Sequence, residues 1–209
     1  MILSDYFHCY ESVLSEEFCN KVIEIGKSKI SNSANIGDYS QKSNITKKEE
    51  KEIKSIRDSN ISWLTDSFIF KEIQPLIFEA NKKLEWNWDW DCSETAQFTA
   101  YKKNQFYDWH TDSFIKPYDR PNNPNIHGKI RKISVTCSLN DGSEYEGGEL
   151  ELDFRNKPDG KSNIETCDSV RSKGSVIVFP SFMWHRVRPI TKGTRYSLVI
   201  WSLGKPFKW

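Results

Sequence analysis

The stretch Tyr107-Asp108-Trp109-His110-Thr111-Asp112 directs the interpretation of the whole chain, because it holds a His-x-Asp pair inside a strand-like run. Side chains two positions apart on a strand point to the same face, so His110 and Asp112 are expected to aim at one point. Closer to the C-terminus, His185 begins another strand-like run and Arg195 opens the last one. Two imidazoles and one carboxylate are the ligand set of a non-haem iron(II) site with open positions. We therefore take His110, Asp112 and His185 as candidate metal ligands and catalytic residues.

Composition and charge indicate a cytoplasmic protein. The chain has 209 residues with 30 Lys and Arg against 29 Asp and Glu, so no strong field attracts nucleic acid or an acidic membrane surface. The five cysteines are scattered without a C-x-x-C pair, which argues against a disulfide framework or a zinc knuckle. No signal-peptide pattern opens the sequence, and no apolar run approaches the roughly 18 residues that cross a bilayer.

The N-terminal part of the chain has one clear helical signal and one polar segment. Phe18, Val22 and Ile25 recur at helical spacing after Ser15, which predicts an amphipathic helix over residues 16–29. Residues 31–52 are polar and contain a run of charges. A mobile loop and a lid over the substrate explain this segment about equally well.

The following residues predict a strand, an interrupted helix and a second strand. Residues 53–64 are typical of a strand, and Thr65 or Asp66 caps a helix that Pro75 is expected to interrupt, with the helix restarting there. The strict alternation of Trp and polar residues in Trp86-Asn87-Trp88-Asp89-Trp90 predicts a half-buried strand.

From residue 93 onward the sequence is a series of short strand-like runs separated by turn signals such as Asn140-Asp141-Gly142. Eight such runs occur, at about residues 94–101, 106–112, 130–139, 148–154, 165–172, 175–179, 184–190 and 195–203. This pattern predicts an α+β, mainly β fold: a double-stranded β-helix, or jelly-roll, of the cupin kind. Without a linker or repeat, residues 1–209 are expected to form a single domain, with 1–92 packing on a catalytic core of 93–209.

Arg195 gives the candidate metal site a second feature. A guanidinium near a metal can bind a carboxylate bidentately and so anchor an organic acid beside the ion. The alternative is that Arg195 pairs with an acidic residue on its own sheet. The remaining histidines, His8 and His127, lie in an N-terminal strand-like segment and a polar loop, where structural roles explain them better.

The order Tyr101, His110, Asp112, His185, Arg195 resembles the 2-oxoglutarate and iron(II)-dependent oxygenases, specifically their prolyl 4-hydroxylase branch. Five runs are similar to segments of that family: Ser55–Leu64, Tyr101–Asp112, Gly147–Leu150, His185–Pro189 and Gly193–Trp201. The first of them resembles the oxygen-sensing prolyl hydroxylases. Where relatives often have Gly after the tyrosine, this chain has Lys102-Lys103-Asn104, so its turn is expected to differ. Many prolyl 4-hydroxylases also use Lys where Arg195 stands, whereas the oxygen sensors and bacterial relatives use Arg.

The resemblance implies a site and a reaction. Iron(II) would be held by His110, Asp112 and His185. The co-substrate 2-oxoglutarate would chelate the iron, pair with Arg195 and receive a hydrogen bond from Tyr101. Oxygen is the second co-substrate, ascorbate a further cofactor, and succinate and CO2 are the products. Three residues are candidates for the wall of the substrate pocket, although ordinary core packing also explains the first two: Leu150, Trp201 and Arg57.

A proline within a protein or peptide is the substrate that the resemblance favours. The segment 113–129 follows the metal pair and contains three prolines, so we expect it to shape the substrate entrance. Hydroxylation of a free amino acid or another small molecule remains the main alternative within the family. Halogenation is disfavoured because Asp112 occupies the position that halogenases vacate, and nucleic-acid demethylation because the charge is near neutral. Outside the family, a non-catalytic cupin-type binding module or a zinc hydrolase would not need Arg195.

Overall fold

The computed structural model describes residues 6–30, 32–33, 46–113, 116–155 and 161–207. Three helices are found within these residues: α1 (Glu16–Ser28), α2 (Lys47–Ile56) and α3 (Ser67–Lys83). The strands of the same residues are β1 (His8–Tyr10), β2 (Asn32–Ser33), β3 (Arg57–Asp58), β4 (Asn60–Leu64), β5 (Cys92–Ser93), β6 (Ala96–Tyr101), β7 (Phe106–His110), β8 (Ile130–Ser138), β9 (Tyr145–Gly147), β10 (Leu150–Asp153), β11 (Ile164–Thr166), β12 (Val176–Pro180), β13 (Trp184–Val187), β14 (Ile190–Gly193) and β15 (Arg195–Gly204).

Two large antiparallel sheets form the framework. The larger has the order β1-β12-β8-β15-β6-β4-β2, with β5 also paired to β15, and the smaller has the order β11-β10-β13-β7-β3. Strands β9 and β14 form a separate pair. Each of the eight runs predicted as strands overlaps a strand, although the run at 165–172 shares only residues 165–166 with β11, and the α+β, mainly β class is confirmed. The short strands β2, β5, β9 and β14 were not predicted.

Alternating side chains divide the core into two parts. On β12, Val176 and Val178 contribute to the cluster that contains apolar residues of α1 and α3, whereas Ile177 and Phe179 contribute to a second cluster with residues of the smaller sheet. Burial of each such side chain stabilises the fold by about 1.5–3 kcal/mol. The larger sheet is therefore covered by helices on one face and by the smaller sheet on the other.

The face of the larger sheet directed at the smaller sheet is unusually polar. Residues alternating with the helix-facing positions of β6, β8 and β15 are buried polar side chains: Gln97, Thr99, Ser134, Thr136, Ser138, Arg195 and Ser197. A buried polar group is costly unless it finds a hydrogen-bonding partner. This face is therefore suited to a polar occupant as well as to packing between the sheets.

The segment predicted as loop and strand contains a helix. Helix α2 is stabilised by a capping box between Thr46 and Glu49, and by an ion pair of 3.0 Å between Glu50 and Lys54. The predicted strand over residues 53–64 is wrong up to residue 56, and β3 and β4 follow from there. Of the predicted polar segment, residues 31 and 34–45 lie outside the described part of the chain.

Two further predictions in this half of the chain are wrong. Helix α3 runs through Pro75 without interruption, because four positions of its buried face have no solvent exposure: Ile69, Ile73, Ile77 and Ala80. Their burial outweighs the roughly 3 kcal/mol that an internal proline costs. Residues 86–90 form no strand. Glu85 and Asn87 have positive φ, and the Asn81 side chain forms two 3.1 Å hydrogen bonds with the backbone of Trp88.

The five cysteines are free thiols, as expected from their spacing. Within the described residues, each helix is too short or too polar to span a membrane.

Candidate metal centre

The structure brings the three predicted ligands together between the two sheets. His110 ends β7, His185 lies in β13, and one ligand atom from each of His110, Asp112 and His185 falls within 4.8 Å of the others. The Asp112 carboxylate oxygens lie 3.8 Å from His110 Nε2 and 3.5 Å from His185 Nε2. All three side chains are buried or nearly so. Their donor set matches the facial triad of non-haem iron sites.

Asp112 is positioned by a turn after β7, not by the strand alternation that the sequence predicted. Strand β7 ends at His110, so the alternation of side chains along a strand does not place Asp112. Instead, the backbone N–H groups of Asp112 and Ser113 both donate to the Ser181 carbonyl, each at 2.9 Å. These two hydrogen bonds hold the turn against the loop between β12 and β13 and so orient the Asp112 carboxylate toward the two histidines.

A bulge in β7 sets the direction of His110. In the pairing of β7 with β13, His185 lies opposite His110 and Val187 lies opposite Tyr107, so β7 carries one extra residue in this interval. The extra residue brings Tyr107 to the same side as His110. The two rings stack with their centres 3.4 Å apart and their planes 11° apart.

Hydrogen bonds around the triad fix the orientation of each ligand. Nδ1 of His110 is 2.7 Å from the Asp108 carbonyl, and Nδ1 of His185 is 2.9 Å from the Met183 carbonyl. Because a carbonyl only accepts, each Nδ1 carries the proton and each Nε2 presents a lone pair to the site. Ser134 donates a 2.7 Å hydrogen bond to the carboxylate of Asp112.

The electrostatics keep the triad in its metal-binding protonation state. Burial and the neighbouring His185 hold the pKa of His110 well below its usual value, so its ring is neutral at neutral pH. Burial alone would raise the pKa of Asp112. The two histidines, Arg131 and the Ser134 hydroxyl outweigh that effect, and the pKa is lowered. A neutral imidazole and an ionised carboxylate are the forms that bind metal.

The Arg195 side chain points into the space between the two sheets, where it can bind a carboxylate. Its side chain is only 2% exposed, and within the described residues its Nη1 has no hydrogen-bonding partner and no carboxylate lies within ion-pairing distance. It lies opposite Tyr101 in the β6–β15 pairing, with its guanidinium carbon 5.8 Å from the centre of that ring. The alternative of an acidic partner on the sheet is therefore wrong. A buried unpaired guanidinium fits the distal carboxylate of 2-oxoglutarate.

Gly148 creates the space for this anchor. The residue has a φ of +68°, and a Cβ added there would lie 2.3 Å from the Ile190 side chain and 3.2 Å from Cδ of Arg195. A larger residue would therefore displace the arginine as well as strain the backbone.

A cavity of about 1160 Å³ opens beside the triad. Two of the three pocket candidates, Arg57 and Trp201, line it, whereas Leu150 is buried in the apolar cluster between the sheets. Lys116–Arg120 and Asn123 from the predicted entrance segment also line the cavity, and residues 114–115 of that segment lie outside the described part of the chain.

One wall of the cavity contains residues that sequence reasoning missed. Arg131 contacts Glu94 through two nitrogens at 2.8 and 2.6 Å and lies over the Trp201 ring at 3.8 Å. Tyr118 donates a 2.8 Å hydrogen bond to Glu94, which fastens the entrance segment to β8 and the β5–β6 connection. Arg131, Glu94 and Tyr118 are distant in the sequence and meet only in the folded chain, so the sequence carried no local signal for them. Ser134 was missed for the same reason.

A 2-His-1-carboxylate centre between the sheets of a double-stranded β-helix defines a non-haem iron(II) oxygenase site, and Arg195 adds a buried guanidinium on β15. The family model of the 2OG-Fe(II) oxygenase superfamily matches residues 96–203, which include the whole triad and Arg195. The chain belongs to this superfamily, whose chemistry uses iron(II), 2-oxoglutarate and O2.

Curated relatives carry the name PKHD-type hydroxylase. The chain is 34% identical over 105 residues to one from Alteromonas mediterranea, covering 50% of this chain and 41% of that protein. It is 35% identical over 111 residues to one from Picosynechococcus sp., covering 51% and 41%. The match thus spans about two-fifths of the length of these relatives.

Solved structures with the same fold include prolyl hydroxylases. A Pseudomonas putida prolyl-4-hydroxylase superposes with a TM-score of 0.61 at 18% identity, covering 98% of this chain and 96% of that chain. A Trichoplax adhaerens prolyl hydroxylase, in complex with a hypoxia inducible factor peptide fragment, gives 0.62 at 17% identity, covering 95% and 84%. At this identity the likeness establishes the double-stranded β-helix fold that the sequence predicted.

Proposed function

We propose that the protein is a prolyl 4-hydroxylase that uses iron(II), 2-oxoglutarate and O2 to hydroxylate a proline in a protein or peptide. The observation that carries the proposal is the triad at the edge of a large cavity, with a buried, unpaired Arg195 between the sheets. The cavity exceeds what a small co-substrate needs, since drug-sized ligands occupy about 300–1,000 Å³. The prolyl hydroxylase neighbours, one of them holding a peptide, support proline as the reacting residue.

Each residue has a distinct task in this proposal. His110, Asp112 and His185 hold iron(II), and Ser134 orients the carboxylate of Asp112 through its hydrogen bond. Arg195 binds the far carboxylate of 2-oxoglutarate. The bound iron and co-substrate supply the oxidising power for C–H hydroxylation, with succinate and CO2 as products.

The cavity walls orient the acceptor and exclude water. Trp201 provides an apolar wall whose position is fixed by the guanidinium of Arg131 above its ring. Tyr107, stacked on His110, is partly buried, and burial raises its pKa to about 12, so it stays protonated during turnover. The entrance segment, held by the bond from Tyr118 to Glu94, covers the cavity.

The decisive experiment incubates the protein with iron(II), 2-oxoglutarate and libraries of proline-containing peptides, with ascorbate as the proposed reductant. Mass spectrometry should detect a gain of one oxygen on proline, in step with succinate formation. His110→Ala and Asp112→Ala should abolish both signals, whereas His8→Ala, which removes a histidine of β1 outside the triad and the cavity lining, should retain them. Full turnover in both triad variants would refute the proposal.

Several finer assignments belong to the same proposal. A target of the procollagen or hypoxia-factor type, ascorbate dependence and a cytoplasmic location are its expected particulars. So is a single domain, in which residues 1–92 support the catalytic core. Packing of α1 and α3 against the larger sheet and pairing of β4 with β6 support that assignment.

A further inference from the structure

The buried guanidinium of Arg57 lines the cavity, whereas that of Arg195 does not. Arg57 opens β3, lies opposite Tyr107 of β7, and holds its guanidinium carbon 4.5 Å from the centre of the Tyr107 ring. Its Nε donates a 3.0 Å hydrogen bond to Ser59. The residue is only 5% exposed, and its Nη2 is buried without a hydrogen-bonding partner.

Arg57 also lacks a countercharge. Two other arginines of the sheets have an acidic partner: Arg131 pairs with Glu94 and Arg186 pairs with Glu151, each at 2.6 Å. Within the described residues, no carboxylate lies within 4.0 Å of Arg57. Among the same residues, the arginines with a buried and unpartnered terminal nitrogen are Arg57 and Arg195. A buried charge left unpaired is costly, so a retained one indicates a ligand that supplies the partner.

The charges of the metal, its ligands and the co-substrate balance without Arg57, so the charge of Arg57 is available to the acceptor substrate. The positive charges are two on iron(II) and one on the guanidinium of Arg195. The negative charges are one on Asp112 and two on 2-oxoglutarate, so the sum is zero. Arg57 then adds one uncompensated positive charge to the lining of the cavity. A peptide carbonyl would satisfy its hydrogen bond but not its charge, whereas a carboxylate satisfies both and matches the guanidinium fork.

We propose that Arg57 binds a carboxylate of the acceptor substrate, so that the preferred substrates carry a negative charge next to the proline that is hydroxylated. This inference rests on the proposed prolyl hydroxylation and specifies its substrate class. The carboxylate comes either from the C-terminus of a substrate that ends in proline, free proline included, or from an adjacent acidic side chain.

The first test uses the unaltered protein and matched peptides. One pair ends in proline as the free acid or as the amide, a second places Glu or Gln beside an internal proline, and free L-proline is a fifth acceptor. The carboxylate member of at least one pair should have a KM lower by roughly 30-fold or more than its neutral partner. The pair that shows the difference identifies the source of the carboxylate. Equal KM values within both pairs would overturn the inference.

The second test changes the residue. Arg57→Gln should bring the ratio of KM values between the neutral and carboxylate members of a pair close to one, while Arg57→Lys should keep part of the preference. Arg188→Gln removes an arginine outside the cavity lining, paired with Glu151 at 3.6 Å, and should behave like the parent protein. A KM increase for 2-oxoglutarate instead of the peptide would assign Arg57 to the co-substrate and overturn the inference.

Binding without turnover separates this inference from the proposed function. With manganese(II) in place of iron, the fluorescence of Trp201 and the other tryptophans should report tighter binding of the carboxylate peptide than of the amide. If that preference appears while iron(II) and 2-oxoglutarate yield no hydroxyproline, the proposed reaction fails and the carboxylate site stands. If hydroxyproline forms without a carboxylate preference, the reaction stands and the role of Arg57 is refuted. Should Arg57→Gln fail to fold, the peptide pairs on the parent protein still decide.

Discussion

Replacing the anchor Arg195 by methionine should stabilise the empty protein while removing its affinity for 2-oxoglutarate. The arginine is buried between the sheets, and its Nη1 finds no partner among the described residues. Methionine preserves most of the side-chain length and carries no charge, so the variant loses an uncompensated buried group without opening a large cavity.

The magnitude follows from this environment. A buried donor without a partner costs about 1–3 kcal/mol, and a charged one costs more. The substitution also removes the cation–π interaction with the Tyr101 ring, whose centre is 5.8 Å from the guanidinium carbon. A buried interaction of this kind is worth about 2 kcal/mol, which is less than the roughly 3–5 kcal/mol that an uncompensated buried charge costs. The melting temperature of the variant should therefore rise by roughly 2–4 °C for each kcal/mol gained. Breaking the bound pair from one side should cost about 3–5 kcal/mol of 2-oxoglutarate affinity.

Thermal unfolding with and without 2-oxoglutarate, in the presence of manganese(II), measures both effects. The parent protein should gain stability from the ligand, and the Arg195→Met variant should start higher and gain almost nothing. Arg188→Met, on a half-exposed arginine, is the matched control and should change neither quantity strongly. A variant that melts lower than the parent protein yet responds fully to 2-oxoglutarate would refute the reasoning, because Arg195 would then be an ordinary structural residue.

Three further predictions concern the support of the site and the fold. Ser134→Ala removes the 2.7 Å hydrogen bond to Asp112, and manganese(II) titration should show metal affinity lower by about 10- to 100-fold. Gly26→Ala would place a Cβ 2.3 Å from the Phe98 ring, and urea unfolding should show a loss of about 1–3 kcal/mol from overpacking. The pKa of Asp153 is lowered, because two backbone N–H donors at 3.0 Å outweigh the effect of burial, which would raise it. The ionised carboxylate therefore stabilises the fold at pH values above its ordinary pKa. This contribution is lost as the pH falls through the lowered pKa. Asp153→Asn should therefore flatten the decline of melting temperature in acid.

Two of these predictions have a matched control variant. Ser143→Ala, in the exposed 3-10 turn Gly142–Glu144, should leave metal affinity unchanged, and Glu24→Ala, on the exposed side of α1, should cost far less stability than Gly26→Ala. Unchanged affinity in Ser134→Ala, unchanged stability in Gly26→Ala, or an unaltered acid profile in Asp153→Asn would each contradict its prediction.

The sequence predicted the strands of the core better than the segments around them. Runs such as Val176–Phe179 are recognisable because strands buried on both faces are almost entirely apolar. Helix α2 could have been predicted from Thr46 and Glu49, whose spacing is that of a capping box. Pro75 and the Trp86–Trp90 alternation could not be interpreted locally, because tertiary packing of α3 and the clamp from Asn81 determine those conformations.

The residues of the site were predictable, but their geometry was not. Motif order identified the triad and Arg195, since each ligand type is chemically distinctive. The bulge in β7, the clamp on Ser181 and the hydrogen bond from Ser134 depend on register, which the sequence does not carry locally. The turn after Tyr101 was expected to differ from that of relatives with glycine. There Asn104 itself adopts a φ of +68°, the conformation that glycine usually supplies.

The alternation along β15 explains how one strand serves both stability and chemistry. Leu198 and Ile200 face the helices and are fully buried in the apolar cluster, whereas Arg195 and Trp201 point to the other side. Because neighbours on a strand face opposite ways, a change on one face leaves the other face's contacts in place. Substitutions at the helix-facing positions should therefore act on folding, and substitutions at the inward positions on ligand binding. A one-residue slip of β15 would exchange the two sets, placing a guanidinium among the helices and a leucine at the co-substrate. Burial of these two sets of side chains therefore fixes the register of β15, and with it the positions of Arg195 and Trp201.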